Sequence, residues 1–236
     1  MKKQIPNFLT LLNLFFGCTA VAAVLYGEYQ IVLWCYLLSG LMDFGDGFAA
    51  RLLGVSSPAG KELDSLSDMV SFGVVPGMIL FVMLGGGEAF FAGDRSTNAL
   101  LPFAGFIFTM FACLRLAKFN LDTRQSVDFI GLNTPTATGF VIGLLMILTH
   151  DTFGLADTVV QREVLLPVIL LFSYLMISEL PMFSGKFQGM QWSGNEWRIV
   201  FLILTIVQFL LLGYAAFATV VLTYILLSGA AYLLKK

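Results

Sequence analysis

Four aspartates stand inside otherwise apolar stretches of this chain, at intervals that limit how the residues around them can fold: Asp43-x-x-Asp46-Gly47-x-x-Ala50-Arg51, then eight residues, then Gly60-x-x-x-Asp64-x-x-x-Asp68. At bilayer depth an aspartate costs about 2.5–3.5 kcal/mol on insertion scales. Four of them within 26 residues demand a large compensating interaction. A cluster of divalent cations is the natural one.

Composition establishes that bilayer depth is the right frame. Of 236 residues 58% are hydrophobic and only 12% charged, whereas an ordinary soluble domain is about a quarter charged. The chain reads as a polytopic membrane protein, with one integral domain over residues 1–236 and short loops. A net charge of −2 gives no reason to expect a nucleic-acid partner. Cys18, Cys35 and Cys113 lie in apolar stretches without CxxC or Cys/His spacing and read as small buried hydrophobes. His150, the one histidine, rules out a multi-histidine metal site and argues against Ser-His chemistry.

A membrane-crossing helix needs roughly 20 apolar residues, and the sequence offers about eight such spans. They fall near 7–26, 30–53, 60–84, 98–118, 134–150, 163–180, 198–214 and 217–234. The last two share one nearly continuous apolar run, which Gly213-Tyr214 divides into a hairpin; a single very long helix and seven spans is the alternative. The first run is longer than the core of a signal peptide and reads as a retained helix. With the N-terminus cytoplasmic and eight spans, Lys2, Lys3, Arg51, Lys61, Arg115, Lys118, Arg124, Lys186, Arg198, Lys235 and Lys236 face one side and only Arg95 and Arg162 the other. By the positive-inside rule both termini are then cytoplasmic.

That topology brings the acids together. Asp43 and Asp46 fall in the cytoplasmic half of the second span, and Asp64 and Asp68 in the first turns of the third. Positions 43, 46, 47 and 50 follow the i, i+3, i+4, i+7 pattern of one helix face, and 60, 64 and 68 share a face at every fourth residue. Oxygen-only ligands favour hard cations such as Mg²⁺ or Mn²⁺, and two such ions form the clamp used for displacement at phosphorus. Gly47, Ala50 and Gly60 lie on the acid-bearing faces, where small residues either admit a flat group such as a nucleotide or serve close helix packing. Arg51 is either a positive-inside anchor or a partner for an acid or a phosphate.

The pattern D-x-x-D-G-x-x-A-R-x₈-G-x-x-x-D-x-x-x-D, complete over residues 43–68, resembles the signature of the CDP-alcohol phosphatidyltransferase family. Pro6-Asn7-x-x-Thr10 is similar to that family's entry into its first helix, although Asn7 and Thr10 also suit helix capping. The resemblance implies an all-α polytopic membrane bundle, a cell-membrane location with the active site facing the cytoplasm, and a homodimer. It implies transfer from a CDP-activated lipid to an alcohol with release of CMP. By the same resemblance Asp43, Asp46, Asp64 and Asp68 hold two Mg²⁺ or Mn²⁺ ions, and Asp68 is also the general base. Asn7, Thr10, Gly47, Ala50, Arg51 and Gly60 then face the CDP-lipid.

The acceptor is indicated by Arg115-Leu116-Ala117-Lys118-Phe119-Asn120 and by Phe129-Ile130-Gly131-Leu132-Asn133-Thr134-Pro135, which resemble the segment typical of bacterial and archaeal phosphatidylserine synthases. This chain has Lys118 where those proteins often have Arg, and Asn133 where they often have Pro. The implied substrates are CDP-diacylglycerol and L-serine, with Arg115, Lys118 and Asn120 receiving the amino acid. A carboxylate needs a cation, and Arg offers a two-pronged donor; the same residues also suit interfacial anchoring. Glu179 is expected to pair with Lys186 or to line the cleft. Competing readings are a family member acting on glycerol 3-phosphate or an inositol phosphate, an intramembrane prenyltransferase, and a divalent cation transporter.

Overall fold

The computed structural model describes residues 4–55, 57–86, 97–122, 129–184 and 194–234. Lys2, Lys3, Arg95, Arg124, Lys186, Lys235 and Lys236, used above for orientation and pairing, lie outside the described residues. Eight helices occupy the expected positions: α1 (Gln4–Leu25), α2 (Tyr29–Leu53), α3 (Pro58–Met83), α4 (Gly105–Leu121), α5 (Thr134–His150), α6 (Arg162–Ile177), α7 (Glu196–Leu212) and α8 (Ala216–Leu234). A 3₁₀ stretch, Thr97–Ala104, leads into α4, and a single turn of helix, Ala156–Val159, precedes α6. The fold is all-α, as expected, and the chain is a multi-pass membrane protein. Stretches Gln4–Leu25, Tyr29–Leu53, Pro58–Met83 and Leu100–Leu121 are each long and apolar enough to cross a bilayer, as is Glu196–Leu234 taken as a whole.

The chain divides into two compact units, Met1–Leu116 and Ala117–Lys236. In the first, α1 packs against both α2 and α3. Its buried stripe Pro6, Thr10, Asn13, Gly17, Ala20 and Val24 is made of small and polar residues, the kind that lets helices approach closely in lipid, where apolar surface alone drives no association. Phe8, Phe15, Phe44, Phe48 and Leu52 are exposed on α1 and α2, as suits helices whose solvent is hydrocarbon. The sharp reversal between α2 and α3 is written in its residues. Gly54 closes α2 in the left-handed conformation (φ 62°), its N–H and that of Val55 capping carbonyls of the last turn. Ser57 then caps α3 by accepting from the Gly60 N–H at 3.0 Å, with Pro58 in the first turn.

Helix α3 is not uniform. Pro58–Asp68 is α-helical, Met69–Val74 is a π-helix in which the Val75 N–H reaches back to the Val70 carbonyl, and Val75–Met83 is α-helical again. Pro76 lacks the N–H that an α-helical ladder would use, and the pattern shifts just before it.

In the second unit, α5 is buried along nearly its whole length, with Phe140 stacked on Phe172 at 4.2 Å and His150 on Tyr214 at 4.0 Å. A two-residue antiparallel pairing, Phe129–Ile130 with Pro181–Met182, is an element that the sequence did not announce. The long C-terminal apolar run is a hairpin. Gly213 breaks it at φ 52°, and Gln208 Nε2 donates to Thr223 Oγ1 at 2.9 Å. A continuous helix would hold those two residues about 22 Å apart. One expectation is corrected: Cys35 is buried, but Cys18 and Cys113 are exposed on their helices, because the lipid-facing surface of a membrane helix is itself apolar.

Candidate active site

The four acids lie where α2 and α3 meet α1. Carboxylate oxygens of Asp43, Asp64 and Asp68 come within 4.8 Å of one another. At that spacing each pair of charges repels by roughly 3–4 kcal/mol at an effective dielectric of 20. The ion pairs of the described residues, such as Lys118 with Glu179, involve none of the four acids. Asp64 Oδ1 is buried without a hydrogen-bond partner, and a buried charged oxygen of this kind calls for a ligand. Three carboxylates with an orphaned buried oxygen fit a hard divalent cation.

Asp46 stands slightly apart from this triad. It is 6% exposed, and its Oδ2 accepts a 2.5 Å hydrogen bond from the Thr10 hydroxyl, a short charge-assisted contact that ties α1 to α2. Asp68 is held from the same helix: Asn13 Nδ2 donates to Asp68 Oδ1 at 3.0 Å.

Beside the acids opens a cavity of about 310 Å³, lined from α1 by Pro6, Asn7 and Thr10, from α2 by Asp46, Gly47 and Ala50, and from the turn and α3 by Val55, Ser57, Gly60, Lys61 and Asp64. Asn7, Thr10, Gly47, Ala50 and Gly60 from the sequence reading thus share one wall-to-wall space with two of the acids. The small residues differ in how tightly they are held. A Cβ on Gly47 would meet only the tip of the Arg51 side chain, at 3.4 Å, whereas one on Gly60 would press on Ser57 Oγ at 3.0 Å and Asn7 Oδ1 at 3.2 Å. Arg51 itself is exposed and folds back along α2 over Gly47.

The acceptor-facing residues are not gathered in the same way. Arg115, in the first unit, is 4% exposed near the end of α4. Lys118, in the second, bonds to Glu179 Oε1 at 2.6 Å and to the Ile177 carbonyl at 3.3 Å. It therefore caps the C-terminal end of α6, where a cation is favoured by the exposed carbonyls. This is also where the Glu179 carboxylate goes. Asn120 is half-buried on α4.

Sequence reasoning did not single out Pro6, Val55, Ser57 and Lys61 as cavity residues, nor Asn13 as a partner of Asp68. A signal for Asn13 was available: Asn7, Thr10 and Asn13 recur every third residue in an otherwise apolar helix.

Comparison with known proteins adds two findings. The family model described as CDP-alcohol phosphatidyltransferase matches residues 3–229. Curated proteins named CDP-diacylglycerol–serine O-phosphatidyltransferase are similar over most of the chain. That of Helicobacter pylori (strain ATCC 700392 / 26695) is 30% identical over 206 residues, 86% of this chain and 80% of that protein. The Bacillus subtilis (strain 168) protein is 29% identical over 185 residues, covering 75% and 88%. The protein of Saccharomyces cerevisiae (strain ATCC 204508 / S288c) is 31% identical over 193 residues, covering 72% and 65%.

Proposed function

From the premise that this chain belongs to the CDP-alcohol phosphatidyltransferase family, we propose that it is a CDP-diacylglycerol–serine O-phosphatidyltransferase. It moves the phosphatidyl group from CDP-diacylglycerol to the hydroxyl of L-serine and releases CMP. The observation that carries the chemistry is the carboxylate triad of Asp43, Asp64 and Asp68, one member of which, Asp64, also lines the cavity together with Asp46. The acceptor follows from the relatives, which carry the serine transferase name.

The four aspartates would hold Mg²⁺ or Mn²⁺, two ions per site, which when bound neutralise a pyrophosphate and the charge gathering on departing CMP. The protein's own groups do the rest. The cavity between α1, α2 and α3 receives the CDP portion of the donor, with Gly47, Ala50 and Gly60 leaving room beside the helix backbones and Asn7 and Thr10 facing it. Arg51 neutralises phosphate from above Gly47. Asp68 accepts the proton of the serine hydroxyl as its oxygen bonds to the phosphatidyl phosphorus, and the phosphoanhydride bond to CMP breaks. Arg115 is our candidate for the serine carboxylate. Lys118 we assign instead to the end of α6, because its ammonium is already taken by Glu179. Asn120 stays a candidate on the acceptor side.

Further parts of the reading are a single domain over residues 1–236, supported by one family model that spans both compact units, a homodimer, and a site facing the cytoplasm. The test is CMP release by purified protein given CDP-diacylglycerol, Mg²⁺ or Mn²⁺, and a panel of alcohols. L-serine is expected to outrun glycerol 3-phosphate and inositol 1-phosphate by a wide margin. A preference for a phosphorylated acceptor would overturn the serine assignment.

A further inference from the structure

We propose that Asn13 is a positioning residue for Asp68, itself fixed by a three-helix node made with Ser39, Ser71 and Gly17. The proposal rests on the reading of Asp68 as general base and deepens it. Asn13 is fully buried on α1, and its side-chain N–H bonds to Asp68 Oδ1 at 3.0 Å. One carboxylate oxygen is thereby pinned from a neighbouring helix. Rotation of the carboxylate is blocked, and Oδ2 is left to take the proton.

The amide's own orientation is dictated by that bond. Asn13 Oδ1 is buried with no hydrogen-bond partner, an arrangement that a side chain present only for packing would have no reason to keep. Turning the amide over would set two oxygen acceptors against each other. The backbone of Asn13 is held as firmly. Its carbonyl accepts from Ser39 Oγ on α2 at 3.2 Å and from Ser71 Oγ on α3 at 3.0 Å, both hydroxyls being buried. Gly17, one turn further along α1, is what admits Ser71, since a Cβ there would collide with the serine hydroxyl. Three helices therefore converge on the residue whose side chain donates to Asp68. Groups that orient a reacting or metal-binding side chain in this way typically contribute about 10–100-fold to activity or affinity.

The experiment uses the full-length protein with CDP-diacylglycerol, L-serine and Mg²⁺ or Mn²⁺, and compares wild type with Asn13→Leu, similar in size but without a donor. The expected result is a kcat lower by about 10–100-fold. The serine KM and cation-dependent CDP-diacylglycerol binding should stay within about twofold of wild type, since the lost interaction matters in the transition state rather than in binding. Thermal unfolding without ligands should move little. A kcat within about threefold of wild type overturns the proposal, as does a variant in which stability, donor binding and kcat fall together, which would mark Asn13 as a packing residue. Should Asn13→Leu not fold, Ser71→Ala is read instead, with the same kcat-only signature at smaller size expected and an unchanged kcat overturning. Wild-type protein that releases no CMP with serine would remove the underlying reading as well, a result distinct from an active wild type and an equally active variant.

Discussion

Among the described residues the buried hydroxyls of the two units are bonded differently, with Tyr224 Oη, which donates to the Phe183 carbonyl at 2.9 Å, the long-range exception in the second. In the second, the buried hydroxyls of Thr138 and Ser178 donate to carbonyls three or four residues back, within their own turn. In the first, buried polar groups reach across the sequence: Thr10 to Asp46, Ser39 and Ser71 to the Asn13 carbonyl, Asn13 to Asp68. Local bonds of the first kind satisfy a helix that would exist without them. Long-range bonds of the second kind fix the positions of helices relative to a charge. The lesson is that in a chain this apolar, the span of a buried hydrogen bond, more than its presence, separates groups that position chemistry from groups that merely tolerate the bilayer.

The sharpest way to break that contrast is at the acids. Asp43→Asn is expected to reduce CMP release to background and abolish cation-dependent CDP-diacylglycerol binding. Thermal stability without ligand should hold or rise, because one member of a mutually repelling cluster is removed. Asp68→Asn should also lose turnover but keep a substantial part of donor binding. Equal loss of binding in both would contradict separate roles for the two residues.

The opposite signature is expected from the second unit. Gly143 packs α5 directly on the backbone of α8, with a Cβ falling 2.7 Å from the Ala218 Cα and closer still to its nitrogen. Gly143→Ala should destabilise the protein by about 1–3 kcal/mol, seen as a lower Tm, while the folded fraction keeps normal KM values. Unchanged stability with altered kinetics would erase the distinction between the units.

A smaller effect is expected at Arg115. One charge-assisted contact to a buried ligand is worth about 1.5–3 kcal/mol, so Arg115→Ala should raise the serine KM roughly 10–150-fold with donor binding nearly intact. Serinol, which lacks the carboxylate, should be penalised much less. Equal penalties would make Arg115 an anchor. The smallest change is Gly47→Leu: only the flexible Arg51 tip stands in its way, so stability should hold while donor affinity falls about tenfold, equivalent to about 1.4 kcal/mol. Loss of stability ahead of affinity would return Gly47 to helix packing.

The acids were legible because a charge in an apolar run has no bland explanation, and their helical spacing alone put Asp43 and Asp46 on one face. The eight helices were legible from run lengths, and the final hairpin from Gly213. The place of Asn13 on the polar face of α1 was legible from its spacing with Asn7 and Thr10, but its role was not, since that lies in Asp68, 55 residues away. Lys118 reads from the sequence as a cation for the acceptor, and its place as the cap of α6 was not legible, because nothing in the sequence pairs it with Glu179. The short β pairing of residues 129–130 with 181–182 was invisible for the same reason: two residues carry no periodicity.

The π-helical turn of α3 has a consequence for how this chain tolerates changes of length. Upstream of it α3 aims its acids toward α1; downstream, Gly77 lies against Thr109 and Phe81 against Gly105 of α4. An unbroken α-helix advances about 100° per residue and a π-turn less, so the wide turn over 69–74 absorbs the phase of one extra residue, and a deletion there that restored uniform pitch would leave both faces on their partners. The extra residue acts as a phase correction between two rigid rods cut from the same helix. Deletions are ordinarily safest in loops, and here a single-residue deletion deep inside a helix, within 69–74, should be tolerated by both halves of α3, whereas a deletion that kept the wide turn would swing either the acids or the α4 contact away.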